Sequence, residues 1–516
     1  MNSKDPICLI PSTYLDGSYH VMEGISIPMA IFCLAVVIIG SHLVLARKTA
    51  SSSQGFRFNL FRIPLVRSFV NHDAFPFLVQ SISIALFFII IGAGLFASQR
   101  GNIAPVLTWT WWWALLIVAV LFLGKFFCMV CPWEGLTALA TSFNPFSRIN
   151  KLGLNLPWPS KLRNVYPALI LFILLTWMEL GLDITASGSA TAMLGFGMLF
   201  LAILCAIVFE KRSFCRYLCP VGRISGVYAL FSSVELRADD PKVCSDCESK
   251  ACLMGTSSHR GCPMFLNPAT LKENTYCTLC TECVRTCPSD NISIGLRKFG
   301  TDLFQKARFR IDEAILIITL LSLTSFHGIT MTPHWTRINQ LLRVEFSLSP
   351  TLVFSVLMFL ILGIQILVFW LGAHWSSRLS KRKLNTRTIF KSFSYAVLPI
   401  ALFYHLAHNS MHFFMEAQEL IPLLSDPFGL GWNLFGTADD TYREILTNEI
   451  VSWIQVGLVI MGHILSVQIA ESIFRKMEHQ TGNRLKVITP LILVMILYSS
   501  ISIFLIASPM EMRTGF

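Results

Sequence analysis

Charge is what this sequence has least of. Only 14% of its 516 residues are Asp, Glu, Lys or Arg, where a soluble chain carries about 25%. With 54% hydrophobic residues, the deficit points to a bilayer rather than water as the main solvent. The N-terminal MNSKDPICLI lacks the charged start, apolar core and small-residue cleavage site of a secretory leader, so none is expected to be removed. No phosphate-cradling glycine motif, nucleophile–base pattern or hydrolytic metal signature is present. That argues against a self-contained nicotinamide-linked enzyme, and an external electron donor is expected. The net charge of +11 has no basic stripe interleaved with aromatics, so nucleic acid is not an expected partner. Basic loops on the cytoplasmic side of a membrane account for it better.

Ten apolar segments are long enough for a hydrocarbon core of about 30 Å. They lie near residues 23–46, 77–97, 104–125, 165–183, 188–209, 311–331, 350–371, 389–415, 449–474 and 487–508, the fourth being the shortest. Loop charge tests the count. The loops after the first, third, seventh and ninth spans are rich in Lys and Arg, from Arg47 and Lys48 to Arg484 and Lys486. The even-numbered loops hold only Arg100, Arg337, Arg343 and Arg443, and the eighth is acidic. The positive-inside rule then puts both termini in the periplasm and the large fifth loop, about 210–310, in the cytoplasm of a bacterial inner membrane.

Cysteine is the residue in surplus. Twelve of fifteen cysteines fall in tight clusters, each with a Cys-Pro, which is ligand or redox spacing rather than a disulfide scaffold. Cys277, Cys280, Cys283 and Cys287-Pro288 form the C-x2-C-x2-C-x3-C-P run of bacterial ferredoxins. Upstream, Cys244, Cys247, Cys252 and Cys262-Pro263 form a looser version with longer gaps. Crossed ligation would give one [4Fe–4S] cluster to Cys244, Cys247, Cys252 and Cys287, and a second to Cys277, Cys280, Cys283 and Cys262. Zinc is the competing ligand reading, though it favours two separated pairs. Two further elements, Phe127-Cys128-x2-Cys131-Pro132 and Phe214-Cys215-x3-Cys219-Pro220, follow the third and fifth spans. They suggest a shared four-cysteine site: a further iron–sulfur centre, redox-active dithiols, or plain helix-end packing.

These paired Phe-Cys-Pro elements, with a cytoplasmic double-cluster insertion, resemble the membrane-bound polyferredoxin group. That group includes the membrane ferredoxin of periplasmic nitrate reduction, the nitrous oxide reductase maturation protein and the cupric reductase of cytochrome oxidase assembly. The resemblance covers roughly residues 75–300. It implies membrane electron transfer in support of a periplasmic enzyme or of metal-site maturation. The chain departs from the group in the two-residue gap between Cys128 and Cys131 and in five further spans downstream.

Those downstream spans carry histidines. His405, His408 and His412 fall within about 60° of one helix face, and His463 lies on the next span. Depth along the helices makes His405 and His463 the expected facing pair, with His327 also towards the outer side. Three readings stand: a bis-histidine b-type haem, a copper or other metal site with Met411 as a further candidate ligand, or structural, proton or quinone-binding histidines. His42 and His374 lie near the interfaces and read as solvated. The segment around 395–475 is similar to a group of uncharacterised bacterial polytopic proteins, and the Pro- and Gly-rich 421–433 stretch predicts a structured loop rather than a helix.

The expected fold is therefore an all-α polytopic membrane protein of about ten helices with an inserted α+β 2[4Fe–4S] ferredoxin domain. Its units are an N-terminal module (1–235), the insertion (236–300) and a C-terminal module (301–516). The expected activity is electron transfer between a cytoplasmic donor and a quinone or periplasmic acceptor. A copper or iron reductase or maturation factor, and a redox sensor or assembly subunit, are the alternatives.

Overall fold

The computed structural model describes residues 19–46, 56–72, 74–97, 102–142, 153–210, 212–257, 259–306, 308–380, 384–440, 446–477 and 484–513. Several loop cations of the charge pattern lie outside them, among them Arg47, Lys48, Arg100, Arg148, Lys151, Lys381, Arg382, Lys383 and Arg443. So does the N-terminal stretch read for a leader.

The chain is mostly helical, and among the described residues nine helices are long and apolar enough to cross a membrane. The expected fourth span is helix Tyr166–Gly181, 16 residues. At about 1.5 Å per residue it reaches roughly 24 Å, short of a full hydrocarbon core. The expected count of ten thus becomes nine long helices and one short one. This is a multi-pass membrane protein.

One helix sits at the centre. In Thr386–Ser425, 94% of the apolar window is buried within the protein, so its surroundings are other helices rather than lipid. Thr386–Glu416 packs along Asn448–Met477 and Ile311–Thr330. The contact with Asn448–Met477 is close because Gly462 faces it. A Cβ at Gly462 would lie 2.7 Å from Phe403 Cβ and 2.8 Å from the Pro399 carbonyl oxygen. Small residues permit such approach where helices have no hydrophobic drive to associate. Pro399 disrupts the backbone ladder here. The next amide, Ile400, donates to Ser466 Oγ across the interface at 3.1 Å, as buried backbone in lipid requires.

The loop at 421–433 was expected to be non-helical. Instead Leu420–Ser425 is a short helix, tolerating Pro422 in its first turn, where a missing amide proton costs little. The chain then turns on Asp426, whose two carboxylate oxygens accept from the Leu430 and Gly431 amides, each at 2.8 Å.

The insertion forms a three-stranded antiparallel sheet in the order Arg57–Asn59, Ile292–Arg297, Val234–Ala238. One strand comes from the loop after the first span, far outside 236–300. A charge network joins the three strands. Arg57 donates to Glu235 at 2.9 Å and to Asp239 at 3.0 Å. Arg297, buried, donates to Glu235 at 3.1 Å and Asp302 at 3.0 Å. A second, two-stranded sheet pairs Tyr19–Met22 with Met510–Arg513.

Candidate electron-transfer and metal site

The insertion gathers its eight cysteines into two groups. Cys244, Cys247, Cys252 and Cys287 line one cavity, with Asn267 and Ile292. Cys262, Cys277, Cys280 and Cys283 line another, with Leu236 and Met264. The last cysteine of each run has crossed to the other run's cavity. Asn291 fastens the first group: its amide donates to Cys287 Sγ and its side chain to Cys244 Sγ, both at 3.3 Å. In the second, the Leu266 amide donates to Cys262 Sγ at 3.4 Å.

The loops that carry these cysteines are bent unusually. Among the described residues, eight non-glycine residues have positive φ; Lys250, Leu279 and Thr281 lie within the two cysteine runs, and Phe265 and Asp290 each follow a run's Cys-Pro by two residues. Each such residue costs on the order of 1–3 kcal/mol and persists only where its surroundings over-determine it. The bends turn short spans of chain around each cavity. Thiol chemistry differs between the two. Burial pushes Cys277 up to about 11 and Cys283 well above an ordinary thiol, with neighbouring thiolates adding to the rise. Cys247, at the surface, is instead lowered by hydrogen bonds from Ser249 and the Lys250 amide.

The paired Cys-Pro elements also converge. Cys128 and Cys131 sit on and just after the short helix Phe127–Val130, below Gly124, whose φ of +59° breaks the preceding helix. Cys215 lies in a widened π-helical turn, Phe214–Leu218, a local insertion that recurs at functional sites. Cys131, Cys215 and Cys219 are close enough to feel one another's charge, as are Cys128 and Cys219. A buried ion pair between Glu134 and Arg212 clamps the two elements, and Cys215 Sγ points at Glu134 Oε2 at 3.9 Å. Buried Lys125 reaches the Thr275 carbonyl at 3.4 Å and faces Cys128, Cys215 and Cys219. Burial raises Cys215 and takes Cys219 up to about 12, so these thiols stay protonated unless a cation compensates. The Gly222 amide donates to Cys219 Sγ at 3.3 Å. Arg212 is also within charge range of Cys280, which ties this site to the second cavity.

From here aromatic rings run into the bundle. Phe127 packs on Trp112 at 5.5 Å between centroids, Trp112 on Trp113 at 5.7 Å, and Trp113 on His405 at 5.7 Å. Tyr228 holds His405 Nδ1 at 3.1 Å. His405 is thus fixed beside the aromatics, not opposite His463. The expected His405–His463 pair does not form. His463 is buried with Nε2 on Ser41 Oγ at 2.7 Å and Nδ1 on Ser499 Oγ at 2.9 Å, and with both ring nitrogens engaged it serves as a structural cross-brace.

His408 and His412 instead meet His327. Among the described residues, only these three bring the ligand atoms of three His, Cys, Asp or Glu side chains within 4.8 Å of one another. His327 lies towards the end of the sixth span that its position in the sequence implies, but the sequence does not group it with His408 and His412. Nothing in the spacing of a lone histidine on another span could have done so. In the sequence Glu416 reads as one of the acidic residues of the loop after the eighth span. Its i+4 position from His412, the one signal available, does put its carboxylate on His412 Nδ1 at 2.9 Å.

No known protein family's profile matches the chain, and no solved structure matches it. Two uncharacterised proteins of Methanocaldococcus jannaschii are similar to it. One is 26% identical over 188 residues, 35% of this chain and 68% of its own length. The other is 25% identical over 201 residues, 35% of this chain and 76% of its own length. YccM of Escherichia coli K12, assigned by its name to electron transport, is 31% identical over 99 residues. That match spans 19% of this chain and only 25% of YccM.

Proposed function

We propose that this chain is a membrane electron-transfer protein whose insertion holds two [4Fe–4S] clusters. The observation that carries the reading is the sorting of eight cysteines into two cavities of four, the last cysteine of each run lying with the first three of the other. Cys244, Cys247, Cys252 and Cys287 would hold one cluster; Cys262, Cys277, Cys280 and Cys283 would hold the other. Their chemistry fits. Four soft thiolates per cavity suit iron–sulfur ligation, and the Asn291 and Leu266 amides supply the N–H···S bonds that such thiolates accept. Zinc fits less well. Its thiolates sit about 3.8 Å apart for Zn–S bonds of about 2.3 Å, whereas no cysteine trio among the described residues brings its sulfurs within 4.8 Å of one another.

When bound, each cluster supplies a one-electron couple at its cavity. The protein's own residues do the rest. Met264, Leu236 and Ile292 limit water around the sulfurs. Arg212 and Lys125 stand beside the Cys-Pro cysteines, where a positive charge would favour the thiolate form of these otherwise protonated groups. Cys128, Cys131, Cys215 and Cys219 extend the redox groups towards the bundle as a further cluster or as dithiols. Phe127, Trp112, Trp113 and His405 continue the file. Electrons would enter from a cytoplasmic donor at the insertion and leave to a quinone or periplasmic acceptor. The name of YccM supports a role in electron transport.

Anaerobic purification with iron and acid-labile sulfide quantified, then EPR of the reduced protein, tests the reading. About eight irons and eight sulfides are expected, or about twelve of each if the Cys-Pro site is also loaded. Zinc in place of iron would end it. The histidine triad favours a second reading, a reductase whose substrate is a metal ion.

A further inference from the structure

We propose that His327, His408 and His412 form a binding site for a late first-row transition-metal ion, copper in preference to the rest. The site stands on its own geometry and does not depend on iron in the cysteine cavities. Three imidazoles on two helices converge. The ring centroids of His327 and His408 are 4.4 Å apart, those of His408 and His412 are 4.9 Å apart, and those of His327 and His412 are 5.7 Å apart. His408 is only 6% exposed, and its Nε2 is buried with no hydrogen-bond partner. A buried polar atom left so is costly, and a metal ion is the ligand that would satisfy it within this cluster.

The carboxylate behind the site has the arrangement expected for a ligand histidine. Glu416 engages His412 Nδ1 and also accepts from Thr110 Oγ1 at 3.2 Å. That contact fixes the ring orientation and makes its Nε2 the ligating nitrogen, the usual partner of a metal-bound imidazole. Three neutral nitrogens and no thiolate in the set favour the imidazole-binding metals, and the stability order of divalent ions places Cu(II) at the top. The three-ligand set leaves room for an exogenous fourth. His327 lies about 24 Å along a helix that starts beside the insertion, taking about 1.5 Å per residue over sixteen residues. The triad is therefore at the far end of the bundle from the cysteine cavities, one helical turn beyond His405 at the end of the aromatic file.

The test uses the full-length protein in detergent, purified anaerobically and oxidised, with Cu(II) as the probe. One tight equivalent per chain is expected, with nitrogen superhyperfine structure from three imidazoles in the EPR spectrum. Nitrogen splitting separates this site from copper on cysteine. His408→Gln should abolish the equivalent, and Glu416→Gln should weaken it about 10- to 100-fold. His327→Asn gives an independent variant should His408→Gln misfold. The absence of a tight equivalent, a spectrum with fewer than three nitrogens, or full binding in both histidine variants would overturn the site. Iron is measured in the same sample: copper binding without iron would overturn the cluster reading alone, and iron without copper binding would overturn this one alone.

Discussion

The cysteine-bearing insertion and the histidine-bearing bundle each gather candidate ligands, but by opposite means. In the insertion, cysteines close together in sequence are wrapped by short bent loops, and only Cys262 and Cys287 cross over. In the bundle, His327 meets residues more than eighty positions away because two long helices pack side by side. Local spacing governs the first and tertiary packing the second. Loss of a ligand should therefore act locally in the insertion, while loss of a packing residue should act at a distance in the bundle.

The largest effect tests the crossing. Cys287→Ala should remove about four of eight irons, the content of one cavity. Cys244→Ala should do the same. If the two serve one cavity, the double variant should lose no more iron than either single. Uncrossed ligation predicts instead that the double variant loses both clusters, and iron analysis after anaerobic purification separates the outcomes.

Next in size is the charge network that joins the first loop to the insertion. Arg297 and Asp302 are both buried, and Arg297 also meets Glu235. Arg297→Met would remove the buried cation between two carboxylates, leaving Glu235 to Arg57 and Asp302 to Arg237 and the Asn274 amide, so the loss should fall below the about 3–5 kcal/mol of a wholly broken buried pair. Hydrogen exchange at the sheet should rise sharply while the membrane helices stay protected. Equal exchange in variant and parent would mean that the network contributes little to holding the strands.

The comparison also explains what could be read in advance. The Cys-x2-Cys-x2-Cys run fixes three ligands through the chain's own reach, so a cysteine-lined site was legible before any tertiary contact was known. The crossing by Cys262 and Cys287 was legible for the same reason, since proline turns the last cysteine away. The strand at Arg57–Asn59 was not: three residues in a polar loop carry no alternation long enough to mark a strand, and their partner lies more than 230 positions downstream. Helix existence was legible from apolar length, while the short fourth helix was not separable from a full span by composition. Histidine grouping failed because facing residues on separate helices depend on rotation, which depth alone does not set. His463 shows the cost of that gap. At a plausible depth, it faces two serines rather than a metal or a ring.

Packing at the centre of the bundle gives the next test. Gly462→Ala puts a methyl within 2.7 Å of Phe403 Cβ and 2.8 Å of the Pro399 carbonyl. Neither neighbour is the loose end of a side chain, so the helices must part. Overpacking of this kind costs about 1–3 kcal/mol, and the thermal midpoint in detergent should fall. Because Phe403 precedes His405 and His408 on the same helix, copper affinity at the triad should fall with it, while iron content at the insertion should not.

The smallest expected effect lies at the point where the two regions meet. Tyr228 belongs to the helix after the second Cys-Pro element, and its hydroxyl holds His405 at 3.1 Å. Tyr228→Phe removes one hydrogen bond and keeps the ring packing. Hydrogen bonds between membrane helices average about 0.6 kcal/mol, so stability should change little. Freed from the hydroxyl, the His405 ring can rotate away from Trp113. If the aromatic file carries electrons, the rate of oxidation of the reduced protein by an added quinone should drop by more than the stability loss accounts for. An unchanged rate would separate the two regions functionally and leave Tyr228 as a packing contact between them.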